Sequence, residues 1–243
     1  MARLRARHLF AGSAAGCEAW ALPRRSHGSC IGLRPWCALG PFTPTHKKRL
    51  IPSQKEGNLM AHRYLISQDS PVLYITVVTN NRLPVFQKDA MKDVLCRALD
   101  EARKHFLLFA YVIMVDHVHL LTSRPSTTSD LLRILKGLTA RRVIDHLREN
   151  NYLHSLAKLR HQERDRNYKY SLWQTEKNVL PIFSERLFME KLNYIHLNPV
   201  RLGLVERAID YRWSSARIWQ GCPSQDEPLQ VDKDLVYWRQ QPR

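Results

Sequence analysis

Apolar and polar positions repeat with two different periods along the chain, and the switches between them divide it into elements. From Val72 to Thr79, VLYITVVT runs β-branched and aromatic residues together until NNR, the composition of a strand that ends in a turn. KDAMKDVLCRALDEARKHF then sets Met91, Val94, Leu95, Ala98, Leu99 and Ala102 at helical spacing, which predicts an amphipathic helix. LLFAYVIM has the continuous apolarity of a buried strand. Val115 and Asp116 are expected to form a tight turn, and HVHLLTS to return as the antiparallel partner. Ser129 is placed to cap the next helix, DLLRILKGLTARRVIDHLRE, with Leu132, Leu135 and Leu138 as its apolar stripe. The polar, mixed-charge stretch from Asn150 to Lys169 predicts a mobile loop, and YSLWQ a short strand. Ser184 opens a last helix through ERLFMEKLNYIHLN, which Pro199 is expected to terminate.

The order from Val72 to Gln174 is strand, helix, strand, strand, helix, strand, and a further helix follows. This predicts an α+β fold, a ferredoxin-like split βαβ with an antiparallel sheet and helices on one face, plus a late helix that carries Tyr194. No internal repeat is visible. Residues 1–59 differ from the rest: ten Lys or Arg stand against only Glu18 and Glu56, without sustained periodicity. They are expected to be a basic extension lacking fixed structure, either a transit-like segment or sequence upstream of a true start at Met60. Residues 60–220 are then the single domain and residues 221–243 a C-terminal tail.

Composition narrows the class of partner. A net charge of +16 and 38 Lys and Arg among 243 residues point to a polyanion, nucleic acid first, because clustered cations displace counterions from phosphates. No apolar run approaches the ~20 residues of a membrane span, so a soluble, cytoplasmic protein is expected. The five cysteines form no CxxC pair and suit a reducing interior. Arg133, Lys136, Arg141 and Arg142 on the second helix are either a solvated face or phosphate contacts. Trp213, Ser214 and Ser215 are either a core plug or DNA contacts.

The strand HVHLLTS carries the sharpest chemistry. His117 and His119 stand at i and i+2, so both imidazoles share one face, an arrangement open to a satisfied histidine pair or to metal ligation. Tyr194 and Asn198 lie at i and i+4 of the late helix, about 6 Å apart along its axis. Each alone has an ordinary structural role, a core-edge tyrosine and a helix-end asparagine. Together the four form a usable set. A metal on His117, His119 and the Asn198 oxygen leaves positions for a scissile phosphate. The Tyr194 hydroxyl can then attack phosphorus. A phenol with a pKa of about 10 leaves more readily than an alkyl alcohol, so the phosphotyrosine bond is reversible and the strand end stays activated.

DHVHLL, YIHLNPVRLGLV and DYRWSSARIW resemble the single-tyrosine HUH transposases of the IS200 type, most of all the branch of REP-associated tyrosine transposases. The resemblance runs from about Tyr64 to Trp219. It implies His117, His119 and Asn198 as metal ligands, Tyr194 as nucleophile, Mg²⁺ or Mn²⁺ as cofactor, and single-stranded, hairpin-forming DNA as partner of a monomer or homodimer. The family pattern has Pro-Asn before the first histidine where this chain has Val115-Asp116. The turn loses a rigid proline, and Asp116 brings either a negative charge beside the phosphate site or a carboxylate that accepts from the ring N–H of a metal-binding imidazole. The expected activity is metal-dependent cleavage and rejoining of single-stranded DNA through a 5′-phosphotyrosine. The alternatives are a hairpin-binding relative without catalysis and a metal phosphodiesterase that uses water.

Overall fold

The computed structural model describes residues 63–160 and 169–238. The basic segment 1–59 and residues 161–168 of the expected loop lie outside the described residues. Strands β1 (Tyr64–Ile66), β2 (Val72–Val78), β3 (Leu108–Ile113), β4 (His117–Ser123), β5 (Asn178–Ile182) and β6 (Val236–Trp238) alternate with helices α1 (Asp89–Ala102), α2 (Thr128–Glu149), α3 (Leu153–Lys158), α4 (Glu185–Arg201) and α5 (Ala216–Trp219). Four strands form an antiparallel sheet in the order β3-β4-β2-β5, the split βαβ topology expected from the element order.

Alternation along β2 and β4 gives the sheet two unlike faces. Val77 pairs with Val118 and Ile75 with Leu120, and this face meets Leu95 and Leu99 of α1 and Leu135 of α2. All six apolar positions predicted on α1 are buried, and α2 adds Leu131, Leu132, Val143, Ile144 and Leu147. Burial of each such leucine contributes about 1.5–3 kcal/mol relative to exposure. On the other face Val78 pairs with His117, Thr76 with His119 and Tyr74 with Leu121. Helix α4 packs there, with Phe188 against Phe109 of β3 at 6.3 Å between ring centroids. The sheet is therefore sandwiched, with α1 and α2 on one face and the tyrosine-bearing helix on the other.

Several local expectations are corrected. The cap of α2 is Thr127, whose side chain accepts from the Asp130 amide, rather than Ser129; Thr127 has the extended backbone an N-cap needs, while Ser129 lies inside the first turn. Within the expected loop after Asn150, α3 forms because Leu156 and Leu159 are buried. YSLWQ contributes only isolated bridges, Thr79 with Trp173 and Arg160 with Tyr170. The fourth strand is NVLPI, whose Pro181 is tolerated because β5 pairs on one side only. Trp173 faces the helices instead, with its indole N–H on the Thr139 hydroxyl at 2.9 Å.

Pro199 does not end α4. It sits in the last turn, and the helix stops at Gly203, whose φ of +67° allows the Leu204 amide to reach the Pro199 carbonyl and the Gly203 amide the Val200 carbonyl, both at 2.9 Å. Trp213, Ser214 and Ser215 are core residues. The Ile113 amide donates to the Trp213 carbonyl, and Ser215 Oγ accepts from the Tyr111 amide while lying 2.9 Å from His196 Nε2. Residues expected as a tail also join the fold: β6 pairs parallel with β1, and Asp232 accepts from the Leu108 amide and from Arg103. These segments cover the exposed edge of β3.

The end of α4 yields a direct test. No atom lies within 4 Å of where a Gly203 side chain would begin, so Gly203→Ala is opposed by its backbone angle alone. It is expected to lower stability by about 1 kcal/mol. Urea unfolding should show an earlier midpoint at an unchanged slope, whereas an unshifted midpoint would mean the helix end does not depend on this turn.

Candidate active site

The turn between β3 and β4 is held from below. The Met114 amide donates to the His117 carbonyl at 2.8 Å and closes the two-residue turn over Val115 and Asp116. The Thr79 amide and hydroxyl both donate to the Asp116 carbonyl, at 2.8 and 2.9 Å, and the Phe86 amide donates to the Val115 carbonyl at 2.9 Å. Proline is absent from this turn, and the segment after β2 does the fixing instead. That segment holds Asn81 and Arg82 at φ of 53° and 51°, a left-handed conformation that non-glycine residues rarely take.

Each histidine is oriented through its Nδ1. His117 Nδ1 lies 2.6 Å from Asp116 Oδ1, and the other Asp116 oxygen accepts from Arg82 at 3.1 Å. Burial works to raise the Asp116 carboxyl, but its bonds and charge contacts with His117 and Arg82 overcome this and hold it below the usual carboxylate range. An ionised Asp116 fixes the proton of His117 on Nδ1 and leaves a lone pair on Nε2. His119 Nδ1 lies 2.8 Å from Thr76 Oγ1 and 2.9 Å from Tyr74 Oη, and the Tyr74 ring stacks on it. Burial, reinforced by the neighbouring His117 and opposed by Asp116, pushes His119 down to about 3, so its ring is neutral at pH 7. Nδ1 is thus engaged by two hydroxyls, and Nε2 has no hydrogen-bond partner among the described residues; a ring proton on Nδ1 would leave a lone pair there. The two ring centroids are 4.9 Å apart.

Helix α4 brings Tyr194 to this pair. Its ring lies 5.5 Å from that of His119 and 6.2 Å from that of Tyr74. It is 39% exposed, and its hydroxyl has no hydrogen-bond partner among the described residues. One turn on, Asn198 is buried, with Nδ2 donating to the Tyr194 carbonyl at 3.4 Å, which leaves Oδ1 as an acceptor. Among the described residues no three His, Cys, Asp or Glu gather as a metal cluster. Two imidazole nitrogens and one amide oxygen, the donors these three side chains would supply to one ion, would suit Mn²⁺ better than Mg²⁺, since Mg²⁺ favours oxygen.

Sequence reasoning missed the cations around the tyrosine. The Arg201 guanidinium lies 4.9 Å from the Tyr194 ring centroid, and Lys191 Nζ 5.8 Å from that of Tyr74. Positions 191, 194, 198 and 201 follow helical spacing and form one stripe, so the signal was present in the sequence. Arg82, Thr76 and Tyr74 offered no such signal, because only tertiary pairing brings them to the histidines. The proposed DNA contacts on α2 lie across the sheet from this site. Lys136 donates to the Gln174 and Glu176 carbonyls at 2.8 Å, Arg142 makes a two-point pair with Glu101 at 2.8 Å, and Arg133 pairs with Asp130. Arg141 is exposed. Lys136 and Arg142 thus have structural partners within the domain.

The site thus sits on a four-stranded antiparallel sheet with an HxH on one of its two central strands and helices on both faces. Residues 70–176 match the family model described as transposase IS200 like. The match includes His117 and His119 and stops before Tyr194 and Asn198. Among solved structures, the chain is similar to one described as a REP-associated tyrosine transposase bound to a REP hairpin, at 18% identity, TM-score 0.46, over 71% of this chain and 91% of that one. It is also similar to a protein from Deinococcus radiodurans R1 provisionally described as a transposase, at 22% identity, TM-score 0.35, over 58% of this chain and 95% of that one. No curated protein matches the sequence. Among the described residues no helix is long and apolar enough to cross a membrane.

Two buried neutral histidines make the domain sensitive to acid. Burial pushes His196 down to about 3, as it does His119, whereas both titrate near 6.5 in the unfolded chain. Below pH 6.5 the unfolded state therefore binds more protons than the folded one, and stability falls as pH drops toward 3. The expected loss approaches 1.4 kcal/mol per pH unit for each histidine. Unfolding free energies measured between pH 6 and 5 should give a slope of about two protons; a flat profile there would show that the rings accept protons without unfolding.

Proposed function

We propose that the chain cuts and rejoins single-stranded DNA, with Tyr194 as the nucleophile and His117, His119 and Asn198 as the ligands of a divalent cation, Mg²⁺ or Mn²⁺. The observation that carries this is the Tyr194 hydroxyl, without a hydrogen-bond partner among the described residues, on a ring 5.5 Å from that of His119, beside two imidazoles whose Nδ1 atoms are both engaged. A satisfied core histidine pair would have no need to leave both Nε2 atoms without partners among the described residues. When bound, the cation supplies charge neutralisation at a phosphate oxygen.

The chain's own residues account for the remaining steps. Arg201 and Lys191 place positive charge along the α4 stripe, where a phosphate backbone approaching Tyr194 would lie. The Tyr194 oxygen forms a bond to phosphorus as the bond from phosphorus to the 3′ oxygen breaks. The phenol gives up its proton and the departing 3′ oxygen takes one, which leaves a 5′-phosphotyrosine and a free 3′-hydroxyl. Attack by a 3′-hydroxyl on the same phosphorus reverses the step and rejoins a strand, with Tyr194 as a leaving group of moderate basicity. Asp116 and Arg82 act through His117, whose ring they orient, so they are positioning residues. Hairpin-forming DNA is the substrate that the family resemblance favours. The hairpin-bound relative supports it only as a likeness.

Tyr194→Phe separates this mechanism from its rivals. Loss of a hydroxyl that makes no hydrogen bond among the described residues should cost less than the ~1 kcal/mol of a typical bond. Cleavage and covalent capture of labelled single-stranded DNA in Mn²⁺ are expected to fall to background while DNA binding stays near that of the native chain. His119→Ala should also abolish cleavage, with any residual activity rising as Mn²⁺ is increased. Undiminished cutting by Tyr194→Phe would assign the attack to water, and binding without cutting by the native chain would leave a hairpin-binding protein.

A further inference from the structure

A second feature lies next to the turn that carries His117. The segment after β2, α1, the end of α2 and α3 enclose a cleft of about 220 Å³, lined among others by Pro84, Val85, Lys88, His146, Tyr152 and Lys158. Pockets for whole drug-sized ligands run from about 300 Å³ upward, so this one has room for a single ring system with its substituents. Its floor is apolar. Tyr152 stands at the mouth, 40% exposed, with Lys88 Nζ 5.5 Å from its ring centroid and the His146 ring 6.3 Å away. Asn151, at φ 55°, follows the C-cap of α2 in the left-handed conformation common for asparagine at a helix end and turns the backbone toward Tyr152. Neither Lys88 nor Lys158 meets a carboxylate among the described residues.

We infer that this cleft takes one unpaired nucleotide of the DNA strand next to the attacked phosphate, with the base against Tyr152 and the adjoining phosphates at Lys88 and Lys158. The inference rests on the proposed single-stranded DNA substrate. Three observations carry it beyond that reading. An exposed aromatic flanked by cations is the minimal platform for a stacked base and its backbone, because every base offers a ring face and every linkage a negative charge. The cations at the mouth meet no counter-charge among the described residues, which suits an anionic occupant in a chain of net charge +16. The cleft also shares its wall with the catalytic turn: Leu83 and Val85 line it, and the Thr79 hydroxyl bridges the Leu83 and Asp116 carbonyls at 2.8 and 2.9 Å. A strand whose phosphate lies at the histidines would round the end of the sheet past Arg82, whose side chain is 67% exposed, to reach the cleft on the face covered by α1 and α2.

The test uses the full chain in EDTA, so that binding is read without cleavage. Short single-stranded oligonucleotides carry 2-aminopurine at successive positions, and both fluorescence quenching and affinity are measured. The native chain should quench one position most strongly. Tyr152→Ala should abolish that quenching and weaken binding about 10-fold, Tyr152→Phe should retain both, and Lys88→Gln with Lys158→Gln should lower the salt dependence of binding by about 0.7 per charge in log–log slope. Tyr152 is exposed, so its variants should melt like the native chain; if Tyr152→Ala does not fold, the lysine pair decides by its slope. Native binding that survives Tyr152→Ala with its quenching intact, or an unchanged salt slope in the lysine pair, overturns the cleft assignment. Absence of binding by the native chain overturns the single-stranded DNA reading itself.

Discussion

The pairing of β4 between β2 and β3 is the constraint on which the candidate site depends. Side chains of a strand alternate, so the register that sets Thr76 opposite His119 and Val78 opposite His117 decides which face both imidazoles occupy. A slip of one residue would turn both rings toward α1 and α2, into a layer of Val, Ile and Leu. Burial of Val118 and Leu120 against those helices therefore fixes the histidines on the opposite face. The same register supplies Tyr74 and Thr76 from β2 as partners for His119 Nδ1. Helix packing on one side of the sheet thus holds the chemistry on the other.

This division explains what the sequence made legible. Period-two alternation in HVHLLTS and helical spacing in the two long helices are local signals enforced by a buried face, and they located β4, α1, α2 and α4. Ser184 stands as a cap directly before its helix and accepts from the Leu187 amide as expected. Tyr194 and Asn198 share a helix stripe, so their proximity was also local information. The fourth strand was misplaced because β5 is an edge strand with a proline and mostly exposed side chains, so it lacks the alternation that marks a half-buried strand. YSLWQ has that composition for a different reason: Leu172 and Trp173 are buried under the helices.

Roles that depend on tertiary neighbours were hidden. Lys136 reads as a surface cation, yet it fastens the segment leading to β5 by two carbonyls, and burial lowers its ammonium. Asp116 reads either as a charge beside a phosphate site or as an acceptor for an imidazole; the second holds, with His117 Nδ1 at 2.6 Å, while the Arg82 that binds its other oxygen was hidden. Arg82 itself stands 34 residues away in sequence, in a turn whose left-handed backbone no composition rule announces. The Thr79 hydroxyl ties that turn to the Asp116 carbonyl, which supplies the rigidity that a proline would otherwise have given.

The central claim is that Tyr194 forms the covalent bond to DNA. Incubation of the native chain with single-stranded DNA from the flanks of its own gene in Mn²⁺, followed by nuclease and protease digestion and mass spectrometry, reads this directly. A nucleotide adduct is expected on the peptide containing Tyr194, at that side chain, and EDTA should prevent its formation. Cleaved DNA without any adduct, or an adduct on another residue, would contradict the account.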